Sequence, residues 1–298
     1  MKTLVVLSGK GGAGKTSVAA ALLPFASRPV LVDADVDASN LSLLVAERCL
    51  RSEPIEAAES ARIDVGRCAE CGLCLENCRF HALSVAPASL NRIPELDELA
   101  CEGCGVCAFF CPEQAITLHR RRSGELFVSA TRYGPLVHAR LAPGGENSGA
   151  LVEGVRREAQ VLASETRREL VIVDGPPGVG CPAISALTGA DLALVVLEAT
   201  PSGEADAHRV LDLTRGFGIP AIVVINKADL DATRTTALAA RVRALGVRIL
   251  ARLPYADAAA EAICSGRVLS ESDAFWAHKF RELWQDLEEI LDQAPVRA

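Results

Sequence analysis

Gly9-Lys10-Gly11-Gly12-Ala13-Gly14-Lys15-Thr16 follows an aliphatic run, Leu4 to Leu7, and opens a segment with helical spacing. Strand, glycine-rich turn and helix in that order make the context a phosphate-binding loop requires, and the residues fit G-x-x-x-x-G-K-S/T. Glycines let successive backbone N–H groups turn toward phosphate oxygens, and the helix N-terminus adds favourable partial charge. Lys15 is expected to reach the β- and γ-phosphates and Thr16 to ligate Mg2+, with Ser17 the next residue of the same nucleotide site.

Such a loop belongs on a parallel sheet, and the chain supplies the strands. Short apolar runs recur at Leu4 to Leu7, Val30 to Val32, Leu170 to Val173, Leu192 to Leu197, Ala221 to Ile225 and Val247 to Leu250. Helix-like segments separate them, the pattern of a sheet buried on both faces with right-handed crossovers. The expected fold class is therefore α/β, a P-loop NTPase with a mostly parallel sheet flanked by helices. Half of the 298 residues are apolar but only 4% are aromatic, so aliphatic side chains must fill the core. From about Ile63 to Arg122 the periodicity gives way to a cysteine-dense stretch, which reads as an insertion. The expected organisation is 1–62 and 123–298 as two segments of one nucleotide domain, with 63–122 as the insert. A turn-rich loop at 142–149 precedes helical spacing from Leu151 to Glu165. Ser272 to Gln293 places Trp276, Phe280, Leu283, Trp284, Leu287 and Leu291 on one helical face, with Ser270 or Ser272 as the expected cap. The opposite face is mainly acidic, which favours docking on the protein's own core over a lipid surface.

The insert carries its own chemistry. Cys68, Cys71, Cys74 and Cys78 form C-x2-C-x2-C-x3-C, and Cys101, Cys104, Cys107 and Cys111 repeat it, with Pro112 after the second run and Arg79 after the first. This spacing is that of a bacterial-type two-cluster ferredoxin, in which the fourth cysteine of each run ligates the other cluster. One [4Fe-4S] cluster is expected on Cys68, Cys71, Cys74 and Cys111, the second on Cys101, Cys104, Cys107 and Cys78. A pair of four-cysteine zinc sites is disfavoured by the short spacing. The tract His119-Arg120-Arg121-Arg122 ends the insert and reads as a solvated edge or, alternatively, a docking patch for an acidic redox partner.

Lys10 exceeds the ordinary loop pattern, and its Lys-Gly-Gly-x-x-Gly-Lys-Thr form resembles the deviant Walker A loop of the MinD, ParA, Mrp and nitrogenase iron-protein class of ATPases. The resemblance implies that Lys10 crosses a nucleotide-sandwich dimer, homo- or heterodimeric, to the partner's phosphates. Val32-Asp33-Ala34-Asp35-Val36-Asp37 falls where the class keeps its first switch, so Asp35 is expected to orient the attacking water, a role Asp33 or Asp37 could share. Val171-Ile172-Val173-Asp174-Gly175-Pro176-Pro177-Gly178 resembles the second switch. There Asp174 would hold Mg2+ through water and the Gly178 N–H would sense the γ-phosphate. Asn226-Lys227-Ala228-Asp229 has the N-K-x-D form of guanine recognition, yet the class uses a similarly placed Asn and a Leu-Pro loop, here Leu253-Pro254-Tyr255, to hold adenine. ATP is the expected nucleotide, with GTP as the alternative.

Nearly end to end, including Thr131 to Ala139 and 146–149, the chain resembles MinD-superfamily P-loop ATPases that contain an inserted ferredoxin domain, a group also labelled cobyrinic acid a,c-diamide synthase-like. The implied function is a nucleotide-dependent dimer cycle coupled to electron transfer or to metal or cluster assembly, with an unidentified redox or metal-cargo partner. Alternatives are a ParA-like positioning protein with structural clusters and a plain ferredoxin carrier with a regulatory nucleotide site. Corrin amidation is suggested only by the label. Net charge is −7 and the pI about 5.4, which argue against nucleic acid and anionic membranes as partners. The apolar run at the N-terminus is too short for a secretory signal, so a cytoplasmic protein is expected. Outside the runs, Cys49 and Cys264 are expected to pack as small hydrophobes. Cys181, seven residues after Asp174, stands where the nitrogenase iron protein keeps a bridging-cluster ligand, so packing, transient metal binding or redox sensing, and a bridging cluster are the alternatives for it.

Overall fold

A computed structural model describes residues 1–56, 58–86, 92–142 and 148–294. The chain divides into two units, Met1–Glu53 with Leu126–Arg140 and Ser148–Ala298, and Pro54–Glu125 with Leu141–Asn147. Most of the loop expected at 142–149 lies outside the described residues.

The first unit is built on a nine-stranded sheet in the spatial order Arg248–Arg252, Ala221–Asn226, Leu192–Glu198, Lys2–Ser8, Leu170–Pro177, Val30–Asp33, Pro135–Leu141, Gly124–Ala130 and Arg48–Ile55. The first seven run parallel. Leu4, Val5, Val6 and Leu7 are fully buried in the central strand, as aliphatic residues covered on both faces must be. Three strands at one side of the sheet, Arg48–Ile55, Gly124–Ala130 and Pro135–Leu141, extend it beyond the six expected. The helix Ala274–Gln293 buries Trp276, Phe280, Leu283, Trp284, Leu287 and Leu291 in the core. Each such large apolar side chain contributes about 1.5–3 kcal/mol relative to exposure. Its cap is Asp273, which accepts the Trp276 N–H at 2.9 Å, rather than Ser270 or Ser272. A carboxylate there also complements the positive end of the helix. No helix among the described residues is long and apolar enough to cross a membrane.

The second unit contains an antiparallel pair, Ala58–Ile63 with Ile116–Arg121, and a short pair, Leu83–Ser84 with Glu95–Leu96. Two short helices, Leu73–Asn77 and Val106–Phe109, each start from a glycine in the left-handed region, Gly72 and Gly105. The internal repeat of the sequence is thus a repeat of local structure. His119, Arg120 and Arg121 belong to the strand Ile116–Arg121, and Arg122 pairs with Glu125 at 2.7 Å.

Candidate functional site

Helix Lys15–Leu22 begins where the loop ends, with Gly14 as its cap at φ 90°. A side chain at Gly14 would be strained by that φ and would stand 2.2 Å from the Asn226 Nδ2, so only glycine fits. Asn226 and Lys227, at the end of the strand Ala221–Asn226, brace the loop. Asn226 Nδ2 donates to the Ala13 carbonyl and Lys227 Nζ to the Gly12 carbonyl, each at 2.9 Å.

The carboxyl ends of the parallel strands converge on this loop, the usual place for a ligand in an open α/β sheet. Lys15 Nζ lies 2.7 Å from Asp174 Oδ1, 3.4 Å from Thr16 Oγ1 and 3.9 Å from Asp35 Oδ2. Asp174 is 1% exposed, and its Oδ2 is buried without a hydrogen-bond partner. Asp174 and Thr16 both meet the same Lys15 ammonium, and a buried carboxylate oxygen with a hydroxyl is the class of oxygen donor that suits Mg2+ or its bound water. Asp33 is fully buried and accepts three hydrogen bonds, from Asp35 N at 3.1 Å, Ser39 Oγ at 2.8 Å and Leu41 N at 2.9 Å. Burial, and then the Asp174 charge, push its pKa up to about 7. Burial also raises the pKa of Asp35, against the pull of Lys15.

A pocket of about 740 Å³ opens beside these groups, within the range of small-molecule sites. Of the residues expected at the nucleotide, Gly11, Gly12, Gly14, Lys15, Thr16, Ser17, Asn226, Lys227 and Pro254 line it, as do Asp35 and Asp37. Asp229 turns its Oδ1 to the Tyr255 N–H at 2.6 Å, securing the loop that carries Pro254. The Gly178 N–H donates to the Ser8 carbonyl at 2.9 Å, so the turn after the strand Leu170–Pro177 is tied to the end of the central strand. Lys10 turns to Glu198 at 3.0 Å, and Glu198 is the functional candidate that the sequence reading lacked. The available signal was one acid closing an otherwise apolar parallel strand, Leu192–Glu198.

In the second unit, Cys68, Cys71, Cys74 and Cys111 line one small cavity, and Cys78, Cys101, Cys104 and Cys107 line another. Each set combines three thiols of one run with the fourth of the other. The Ala82 N–H reaches Cys78 Sγ, and the Ala115 N–H reaches Cys111 Sγ, both at 3.3 Å. Gly103, at φ 62°, leaves no room for a Cβ, which would lie 2.3 Å from the Glu59 carbonyl oxygen. Burial raises the pKa of the Cys74 and Cys107 thiols. Among the described residues, no three His, Cys, Asp or Glu side chains gather closely enough to hold a single metal ion.

Three further cysteines lie elsewhere. Cys181 is exposed at the start of the helix Cys181–Leu187. Cys49 and Cys264 are exposed too, contrary to the packing expected of them. Cys49 sits on the exposed edge strand Arg48–Ile55 and Cys264 at the last turn of the helix Asp257–Cys264, so neither meets the core.

The chain is 29% identical to the uncharacterized protein MJ0578 of Methanocaldococcus jannaschii over 97% of both chains. A second protein of that organism, MJ0579, is 27% identical over 78% of this chain and 82% of its own. Among solved structures, the cell division ATPase MinD of Pyrococcus furiosus matches with a TM-score of 0.57 at 19% identity, over 97% of this chain and 99% of that one. MinD of Pyrococcus horikoshii complexed with Mg-ADP matches with a TM-score of 0.59 at 16% identity, over 97% and 96%. At these identities the likeness is one of fold. Residues 4–269 match the CbiA model, and the chain belongs to the CobQ/CobB/MinD/ParA nucleotide binding domain family.

Proposed function

We propose that the protein binds and hydrolyses ATP and couples a nucleotide-dependent dimer cycle to electron transfer, or to metal or iron–sulfur cluster assembly on a partner. The observation that carries the redox part is the sorting of eight cysteines into two cavities of four, each with a thiol crossing from the other run. That donor set suits a [4Fe-4S] cubane, whose irons are spread over several ångströms, better than one metal ion, and the N–H groups on Cys78 and Cys111 are of the kind that tune cluster potential. Cys68, Cys71, Cys74 and Cys111 would hold one cluster and Cys101, Cys104, Cys107 and Cys78 the other, in a ferredoxin-like insert at 63–122 between nucleotide-domain segments 1–62 and 123–298. Bound there, the clusters supply one-electron transfer at low potential.

On the nucleotide side, Lys15 and the loop N–H groups would hold the phosphates, with Thr16 and Asp174 on Mg2+. Lys15 neutralises Asp174 at 2.7 Å in the nucleotide-free protein, and Mg2+ bound at that carboxylate would match its charge when Lys15 turned to the phosphates. Asp35, already oriented by Asp33, would align the attacking water, and Lys10 would reach the phosphates of a second copy or of a related subunit. Asn226, Pro254 and the backbone of the Tyr255 loop would hold adenine.

Similar solved structures include a cell division ATPase, which favours a second reading, a positioning protein whose clusters are structural. Potentiometric titration of the anaerobic protein, with and without a non-hydrolysable ATP analogue, separates the two. A shift in at least one midpoint potential is expected from coupling. Equal potentials would leave the positioning reading as the better one.

A further inference from the structure

Lys10 has its hydrogen-bonding capacity filled within its own protomer. Its Nζ lies 3.0 Å from Glu198 Oε2, 2.7 Å from Thr200 Oγ1 and 3.5 Å from Ser202 Oγ. An ammonium group has three N–H donors. Serving an outside phosphate therefore requires Lys10 to surrender an internal acceptor.

The acceptors are firmly held. Glu198 ends a strand whose other residues are all buried, and Thr200 caps the helix Pro201–Gly216 by accepting the Gly203 N–H at 3.1 Å. The other Glu198 oxygen, Oε1, lies 3.3 Å from Lys227 Nζ, the same ammonium that donates to the Gly12 carbonyl. One carboxylate thus joins two lysines, one from the phosphate loop and one from the base side of the pocket. Although burial opposes charge on Glu198, the hydrogen bonds from Lys10 and Lys227 hold its pKa below the ordinary carboxylate range.

We propose that Glu198 is a positioning residue that parks Lys10 inside the protomer and releases it when a second copy closes over the nucleotide. The inference rests on the dimer reading of Lys10 given above. Lys227 makes the release reversible. When Lys10 leaves, Glu198 keeps a cation at contact distance, so a partly buried carboxylate is never left unpaired, which is the costly outcome of breaking an ion pair. The Lys10 side chain is 27% exposed and that of Glu198 14%, so the pair is a weak latch of the partly solvated kind. Its carboxylate competes with the partner's phosphates for one ammonium, and whichever wins sets the position of the dimer equilibrium.

The test is sedimentation velocity on the full chain with Mg2+ and a non-hydrolysable ATP analogue, comparing wild type, Glu198→Gln, Lys10→Ala and the double variant. Two latches open per dimer, so Glu198→Gln is expected to dimerise at about tenfold lower protein concentration, the scale of two partly exposed charge pairs. In the Lys10→Ala background the same change should have no effect. Glu198→Asp, which draws the carboxylate back by about 1.5 Å while keeping its charge, should shift the midpoint in the same direction by less. Dimerisation of Glu198→Gln at or above the wild-type concentration overturns the proposal, and so does an equal gain in the Lys10→Ala background. If Lys10→Ala itself dimerises as well as wild type, the underlying dimer reading of Lys10 fails and the parking role falls with it.

Discussion

Asp33 accepts the Leu41 N–H at 2.9 Å, and with it ties the end of the strand Val30–Asp33 to the start of the helix Leu41–Val45. The same carboxylate holds the Asp35 N–H at 3.1 Å, so the residue expected to align water takes its place from a neighbour that does not line the pocket. Order in the segment from Asp33 to Leu41 is therefore set from beneath.

That support has a pH signature. Asp33 titrates near 7 in the folded protein against 3.8 for an unperturbed aspartate, burial being the main cause. Between those values the folded state binds the extra proton, so the stability that Asp33 contributes is fully present below about pH 4 and is lost as pH rises through about 7. The slope can reach about 1.4 kcal/mol per pH unit for one proton. Urea unfolding of the nucleotide-free protein at pH 5 and pH 7.5 should show the fall, and Asp33→Asn should flatten it. Parallel profiles for the two proteins would exclude Asp33 as its source.

Lys15 and Asp174 make a buried pair at 2.7 Å, with exposures of 6% and 1%. Removing one partner of such a pair typically costs about 3–5 kcal/mol, because a charge is left without its counterion. Lys15→Ala should thus lose both nucleotide affinity and stability. Asp35→Ala keeps the pair intact, so it should retain nucleotide while hydrolysis falls by about 100-fold or more, the usual contribution of a positioned catalytic group. Binding titration with a fluorescent ATP analogue and a phosphate-release assay distinguish the two variants, and wild-type turnover by Asp35→Ala would remove it from the role.

The half of the sheet nearest the phosphate loop was legible because its strands are buried on both faces and read as unbroken aliphatic runs. Arg48–Ile55 is exposed almost throughout, so no apolar run announced it. Gly124–Ala130 alternates buried and half-buried positions, a weaker signal than a continuous run. At the site, the phosphate-loop residues stand in a local motif and line the pocket, while Asp35 and Asp174 were singled out by resemblance and lie 3.9 and 2.7 Å from Lys15 Nζ. Glu198 could not be found in either way, since its meaning depends on Lys10, far away in the chain and adjacent only after folding. The cap at Asp273 was missed for a smaller reason: Ser270 and Ser272 compete for the same role, and only backbone geometry chooses among them.

The N-K-x-D form of residues 226–229 invites a guanine preference, but Asp229 already accepts the Tyr255 N–H at 2.6 Å. Its expected role is to hold the Leu253 to Tyr255 loop against the base. Asp229→Ala should therefore raise KM for ATP several-fold with little change in kcat, by loosening Pro254 and Tyr255 at the pocket wall. Steady-state kinetics with both nucleotides provides the check. Selective loss of GTP turnover in that variant would identify Asp229 as a base reader instead.

Metal content is the sharpest test of the second unit, because the two cavities make a prediction about crossing as well as number. Protein purified without oxygen should carry about eight iron and eight labile sulfide per chain if two cubanes are held by four thiolates each. Cys78 lies with Cys101, Cys104 and Cys107, so Cys78→Ser should damage the cluster of the later run and spare that of its own. Cys111 lies with Cys68, Cys71 and Cys74, and Cys111→Ser should do the reverse. Arg79 follows Cys78 where Pro112 follows Cys111, yet the two turns match, His81 N–H donating to the Cys78 carbonyl at 3.2 Å and Gln114 N–H to the Cys111 carbonyl at 3.1 Å, so electron paramagnetic resonance of each variant after stepwise reduction is compared with that of the wild type to assign the lost signal. Loss of the in-run cluster in both variants would mean that each run closes on itself, against the lining of the cavities. Near-stoichiometric zinc, with no iron taken up on anaerobic reconstitution, would remove electron transfer from the function and leave the nucleotide cycle to stand alone.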